Sequence, residues 1–139
     1  MNASFFPTER RWMLVDDNEN ILTMLSAMLE NLTEAAIECH NTPQSALAAF
    51  AEAPEKYDLV ITDFEMPGMD GVELCRRLHA LVPEQKIFLA TGSGFFTEAA
   101  ARHAGFSALL NKPFPLSVLE QALAENFLKM ETGRSLMAA

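Results

Sequence analysis

The sequence predicts a doubly wound α/β fold, in which five parallel strands in the order 2-1-3-4-5 form one sheet with helices on both faces. Short apolar runs alternate along the 139 residues with longer segments whose apolar residues recur at helical spacing. This alternation is typical of a parallel sheet, because a crossover helix must join each strand to the next. Since such crossovers are right-handed, few strand orders are possible, and the order 2-1-3-4-5 suits a chain of this length best.

Two strand–helix units are predicted in the first part of the chain. The continuous apolar run Trp12–Val15 indicates a strand buried on both faces, and Asn18 can cap the helix that follows. The apolar positions of this first helix are Ile21, Leu22, Leu25, Met28, Leu29 and Leu32. The alternating residues Ala36–His40 predict an edge strand, and Thr42 followed by Pro43 predicts the start of the second helix.

Three further units complete the predicted fold. Their strands are Leu59–Asp63, Ile87–Thr91 and Ala108–Asn111. The third helix is predicted over residues 72–81, because it must stop before Pro83. Thr97 can cap a short fourth helix and Gly105 can end it, while the fifth helix is predicted from about Pro115 to Lys129. One domain is therefore expected over residues 11–130, with an N-terminal extension at 1–10 and a C-terminal tail at 131–139.

The composition disfavours several classes of function. Ten basic and 19 acidic residues give a net charge of −9, which disfavours non-specific binding to nucleic acid or to anionic membranes. No apolar run approaches the roughly 18 residues of a membrane span, and residues 1–11 lack the apolar core of a signal peptide. We therefore expect a cytoplasmic protein. Cys39 and Cys75 are too few for a disulfide framework, and we expect both to be reduced core thiols.

Polar side chains occur at the carboxyl ends of the predicted strands. Asp16 and Asp17 follow the first strand, Asp63 and Thr91 end the third and fourth, and Lys112 follows the fifth. In a doubly wound sheet these ends meet at one edge, where ligands bind. Three crowded carboxylates are unfavourable unless a cation joins them, and Mg²⁺ suits a site with few carboxylates and several waters. Each residue has a structural explanation when taken singly, as a helix cap, a turn residue or a solvated charge, but such explanations do not predict their convergence.

The same residues predict a reaction. A carboxylate such as that of Asp63 can attack phosphorus as a nucleophile. Lys112 would then neutralise one phosphoryl oxygen, and the hydroxyl of Thr91 would donate a hydrogen bond to another. Little further chemistry is needed, because phosphoryl transfer depends mostly on positioning and charge stabilisation.

The motifs that carry these residues resemble those of the receiver domain of bacterial two-component response regulators, especially the single-domain, chemotaxis-regulator-like members. They are Leu14–Asp17, Asp63–Gly71, Thr91-Gly92 and Lys112–Phe114, and the resemblance extends from about Arg11 to Lys129. It implies a flavodoxin-like (βα)5 fold. It also implies a phosphoryl group accepted from a sensor histidine kinase or a histidine phosphotransfer protein, with Mg²⁺ as cofactor.

The resemblance also implies a role for each matching residue. Asp63 would be the phosphoacceptor and a metal ligand. Asp17 would bind Mg²⁺ directly, Asp16 mainly through water, and Glu65 through its backbone carbonyl. Thr91 would be the switch hydroxyl and Lys112 the phosphoryl-binding cation, with a cis peptide bond before Pro113. The surface of the fourth helix, fifth strand and fifth helix would then control partner binding.

Two positions near the site carry further expectations. Glu65 lies two residues after the phosphoacceptor position, where its side chain could influence the water that hydrolyses the phosphoryl group. Leu109 occupies the position where the family often has an aromatic switch residue, and a leucine has no ring to move. The loop Gly92–Gly94 with the pair Phe95-Phe96 is therefore an alternative route for reading phosphorylation. The competing explanation for that pair is that at least one phenylalanine packs into the core.

The sequence leaves alternatives open. A Mg²⁺-dependent phosphatase with an aspartyl nucleophile would need a substrate-capping insertion, and a flavin carrier would need a loop after the first strand that does not repel phosphate. A receiver that docks without being phosphorylated is a third alternative. About nine residues follow the predicted fifth helix, too few for an output domain. Both a stand-alone receiver and the receiver of a hybrid kinase or larger regulator therefore fit, and no downstream target is indicated.

Overall fold

Five parallel strands form one sheet in the computed structural model, which describes residues 10–128. The strands are β1 (Arg11–Val15), β2 (Ala36–His40), β3 (Tyr57–Thr62), β4 (Ile87–Thr91) and β5 (Ala108–Asn111). Their order is β2-β1-β3-β4-β5, and all four pairings are parallel, as predicted. The α-helices of the described residues are α1 (Glu19–Glu30), α2 (Pro43–Glu52), α3 (Gly71–Leu81), α4 (Glu98–His103) and α5 (Leu116–Leu123).

The helices begin and end largely at the residues that the sequence indicates. The side chain of Asn18 accepts hydrogen bonds from the first turn of α1, and Thr42 and Thr97 do the same for α2 and α4. Gly105 follows the end of α4 with a φ of 110°, a backbone conformation that glycine adopts without strain. Among the described residues, no helix is long and apolar enough to cross a membrane.

Some boundaries differ from the predicted ones. β3 starts two residues earlier than expected and ends at Thr62, so that Asp63 lies just beyond the strand. The extra length comes from an irregularity opposite Arg11 and Trp12, where the pairing moves from Tyr57 to Leu59. The predicted fifth helix is shorter in its α-helical part, because a π-helical turn at Ala124–Leu128 follows α5. Its last predicted residue, Lys129, lies outside the described residues.

Both faces of the sheet are buried, because side chains alternate along each strand. Met13 and Val15 of β1 pack with α2, α3 and α4 on one face, whereas Trp12 and Leu14 pack with α1 and α5 on the other. Burial on both faces explains why the central strands are continuous apolar runs. Cys75 is buried in this core, but Cys39 is exposed. The expectation of two core thiols was therefore wrong for Cys39, since β2 lies at the edge of the sheet, where a side chain need not be covered.

All five residues of the inner strand β4 are buried, so its large side chains should matter for stability. Phe88 is fully buried between the sheet and the helices, so Phe88→Ala should lower the free energy of unfolding by about 3–5 kcal/mol in urea denaturation. Phe95 provides a control, because its side chain is 73% exposed, and Phe95→Ala should cost less than about 1.5 kcal/mol. Equal losses for the two variants would contradict the described packing.

Candidate functional site

Three carboxylates meet where β1 and β3 end. Asp16 and Asp17 directly follow β1, and Asp63 directly follows β3. Each offers one oxygen, and these three oxygens lie within 4.8 Å of one another. Asp16 is only 3% exposed, Asp63 is half-buried and Asp17 is exposed. Oxygen ligands at this spacing, open to solvent on one side, fit a hard divalent cation that keeps part of its water shell.

A lysine from the far end of the chain enters the same cluster. Lys112 follows β5, and its Nζ lies 2.7 Å from Asp16 Oδ2 and 3.4 Å from Asp63 Oδ1. Its backbone N–H donates a 2.9 Å hydrogen bond to the carbonyl of Thr91, and the next peptide bond, to Pro113, is cis. The ammonium group therefore balances part of the negative charge and is held against the residues at the end of β4.

The backbone fixes the two inner carboxylates. The N–H of Asp16 donates to the carbonyl of His40, and the N–H of Asp63 donates to that of Val15. Asp16 Oδ1 also accepts a 2.9 Å hydrogen bond from the backbone N–H of Asn18, the residue that caps α1. The loop between β1 and α1 thus orients the Asp16 carboxylate and begins the helix at the same time.

Burial shapes the electrostatics of Asp63. Desolvation raises the pKa of its carboxyl above the usual range, and the nearby Asp16 carboxylate acts in the same direction. The Lys112 ammonium group acts against both by favouring the ionised form. Any further positive charge would stabilise the ionised form of a carboxylate in such surroundings, and a bound divalent cation would supply that charge.

Thr91 is the last residue of β4 and is 2% exposed. Its Oγ1 accepts a 3.3 Å hydrogen bond from the backbone N–H of Ser93, and its hydroxyl donates to Ser93 Oγ at 3.4 Å. Both contacts are long, so a stronger acceptor could displace the second one. The hydroxyl is therefore available at the same edge of the sheet as the carboxylates.

Gly71 is a site residue that sequence reasoning missed. A Cβ at this position would lie 2.2 Å from the backbone carbonyl oxygen of Asp63, far inside any real contact. Its N–H also donates a 2.8 Å hydrogen bond to the carbonyl of Phe64. In the sequence Gly71 only ends the matching segment Asp63–Gly71, and no local pattern shows that the start of α3 packs against the backbone of Asp63.

The remaining predicted positions lie around this cluster. Glu65 is exposed in the loop between β3 and α3, and Leu109 is half-buried on β5. Phe96 is half-buried and packs against the core, so the expectation that at least one residue of the Phe95-Phe96 pair does so is confirmed. Phe95 is instead 73% exposed, and its ring stacks on that of Phe64, with ring centroids 5.9 Å apart.

The family of the chain follows from this fold, this cluster and a comparison with known proteins. The model of the response regulator receiver domain family matches residues 13–124. The chain therefore belongs to this family, whose members are the receiver modules of two-component systems.

Particular relatives support this assignment. The chain is 36% identical over 113 residues to the transcriptional regulatory protein ResD of Bacillus subtilis, which covers 76% of this chain and 43% of ResD. It is 34% identical over 123 residues to the virulence sensor protein BvgS of Bordetella pertussis, over 83% of this chain and 10% of BvgS. The chain thus spans less than half the length of both relatives.

A solved structure shows the same architecture. The CheY-like response regulator receiver domain protein of Methanospirillum hungatei has a TM-score of 0.75 with 28% sequence identity, over 89% of this chain and 98% of that one. The predicted doubly wound receiver fold is therefore confirmed.

The contact at Gly71 leads to a prediction. Gly71→Ala should force the backbone of Asp63 to move and lower the free energy of unfolding by about 1–3 kcal/mol, because the extra methyl group meets backbone rather than a flexible side chain. Gly92→Ala is the matched control, since its Cβ would meet Lys112 at an ordinary 3.8 Å. Urea denaturation of the two variants measures the difference, and an unaffected Gly71→Ala protein would refute the close approach.

Proposed function

We propose that this receiver domain accepts a phosphoryl group on Asp63, from a histidine kinase or a histidine phosphotransfer protein, and thereby switches its binding to a protein target. The observation that carries the proposal is the meeting of Asp16, Asp17 and Asp63 with the Lys112 ammonium group at one edge of the sheet. A cluster of carboxylates beside one fixed cation has the composition that an aspartyl phosphate site needs.

The transfer step follows from this arrangement. An oxygen of Asp63 forms a bond to phosphorus while the bond between phosphorus and the imidazole nitrogen of the donor breaks. The leaving imidazole keeps the electron pair of that bond. Lys112, already 3.4 Å from Asp63, would pair with a phosphoryl oxygen, and the buried hydroxyl of Thr91 would donate a hydrogen bond to another.

The carboxylate cluster would hold Mg²⁺. Its protein ligands would be Asp16, Asp17 and Asp63, together with the backbone carbonyl of Glu65. When bound, the ion neutralises the negative charge that the phosphoryl group and the carboxylates bring together. The carboxylates themselves orient the ion, and Asp16 is the most firmly placed because it is buried and hydrogen-bonded to the loop backbone.

The chain would act as a signalling module that assists its own phosphorylation and dephosphorylation, not as an enzyme that turns over a metabolite. The loop from Asp63 to Asp70 connects β3 directly to α3 and contains no insertion that could cap a substrate. A net charge of −9 disfavours direct nucleic-acid or membrane binding, so the proposed partners are proteins and the proposed location is the cytoplasm. The surface of α4, β5 and α5 is the proposed switch surface.

The phosphoacceptor can be tested by intact-mass analysis after incubation with phosphoramidate, with and without Mg²⁺. The wild-type protein should gain the mass of one phosphoryl group in a Mg²⁺-dependent reaction, and Asp63→Asn should gain none. Asp70→Asn is the matched control: it makes the same substitution in the same loop, at an exposed helix cap where asparagine serves equally well. A protein that takes up no phosphoryl group, even from a kinase, would favour a module that docks without phosphorylation.

Glu65 provides a second test. Its exposed side chain follows the phosphoacceptor by two residues, so Glu65→Ala should change the lifetime of the phosphoryl group by altering the approach of the attacking water. The decay of the phosphorylated mass after removal of the donor measures that lifetime. Glu84→Ala, an exposed glutamate outside the site, should decay like the wild type. If Glu65→Ala also decays at the wild-type rate, Glu65 has no role in hydrolysis.

A further inference from the structure

A short chain of hydrogen bonds connects the buried hydroxyl of Thr91 to an exposed aromatic ring. The hydroxyl of Thr91 donates to Ser93 Oγ at 3.4 Å, and Ser93 Oγ accepts a 3.0 Å hydrogen bond from the backbone N–H of Phe95. Thr91 is 2% exposed, whereas Phe95 is 73% exposed. These two hydrogen bonds therefore connect the interior of the candidate site to the surface within five residues.

The ring of Phe95 is largely exposed and lies against the residue that follows Asp63. It stacks on Phe64, the residue that follows Asp63, with ring centroids 5.9 Å apart and an angle of 13° between the ring planes. Phe96 meets both rings edge-on, at 4.9 Å from Phe64 and 5.4 Å from Phe95. Phe96 also packs against the core and anchors the loop, but most of the Phe95 ring faces solvent.

Two glycines flank Ser93. Gly94 has a φ of 69°, and a Cβ placed there would meet no atom within 4 Å. Gly92, on the other side of Ser93, has only ordinary contacts around it. Since glycine lacks the steric restrictions of other residues, two glycines that flank Ser93 allow this loop to take a second conformation.

We propose that Phe95 is the surface residue that reports the phosphorylation of Asp63, through Ser93. The inference rests on the proposed function, since it takes a phosphoryl group on Asp63 as the trigger. A phosphoryl oxygen is charged and accepts a stronger hydrogen bond than a serine hydroxyl does. The hydroxyl of Thr91 has one hydrogen to donate. When it donates a hydrogen bond to the phosphoryl oxygen, it no longer donates one to Ser93. The loop that holds Phe95 against Phe64 is then released.

Phe95 would provide the movable aromatic ring that Leu109 lacks. Leu109 is half-buried on β5 and has no ring, whereas Phe95 leads the segment that enters α4. A change in the position of Phe95 alters the exposed apolar surface between the loop after β3 and the start of α4. The proposed readout thus acts through the loop that leads into α4, one of the three elements of the proposed switch surface, and not through Leu109 on β5.

The experiment places tryptophan at the reporter position. Three variants are compared: Phe95→Trp, the double variant Phe95→Trp with Ser93→Ala, and Leu81→Trp. Each is incubated with phosphoramidate and Mg²⁺, and its tryptophan emission and intact mass are recorded on the same sample. Leu81 is a matched control, because it is an exposed apolar residue at the end of α3, at the opposite edge of the sheet. The native Trp12 is buried near the start of β1 and gives the common baseline.

The expected result is a change in the emission of Phe95→Trp that follows the phosphorylated mass. The same change should be lost in the variant that also carries Ser93→Ala, although that variant still gains the phosphoryl mass. Leu81→Trp should show no change. Phosphorylation of Phe95→Trp without an emission change would overturn the inference and leave the proposed function standing, and an equal change with Ser93→Ala would exclude the route through Ser93. The absence of a phosphoryl mass in every variant would remove the proposed function and this inference with it.

Discussion

The ion pair between Lys112 and Asp16 is the interaction on which the arrangement of the site depends. The two residues are 96 positions apart in the chain, yet their charged atoms lie 2.7 Å apart. Asp16 is almost completely buried, and a buried carboxylate without a partner is strongly unfavourable. The fold therefore has to bring the end of β5 to the end of β1, and β3 and β4 lie between them in the sheet.

Backbone hydrogen bonds make this edge of the sheet a rigid platform. Asp63 is bonded to Val15 across the β1–β3 pair, and Lys112 is bonded to Thr91 across the β4–β5 pair. Since both faces of the sheet are covered by helices, the strands cannot shift without disturbing two core layers. Rigid strands carry the charged groups, and the loops beyond them are left free to respond.

The loop between β3 and α3 brings together three structural features within a few residues. It begins with the carboxylate of Asp63, continues with Phe64, on which Phe95 stacks, and ends at Gly71, whose missing side chain lets α3 approach the backbone of Asp63. The position of Asp63, the proposed phosphoacceptor, and the aromatic surface beside it are thus set by the same short segment. A disturbance of Asp63 can therefore reach the surface over a short distance, without passing through the core.

The sequence by itself determined the strand order, the helix caps and the convergence of Asp16, Asp17, Asp63, Thr91 and Lys112. These features follow from local patterns, since apolar periodicity, capping residues and parallel-strand topology all act over a few residues or follow general rules. Only the tertiary structure revealed the close approach of Gly71, the exposure of Cys39 and the stacking of Phe95 on Phe64. Each of these depends on how the folded elements lie against one another in space, and no local pattern in the sequence encodes that arrangement.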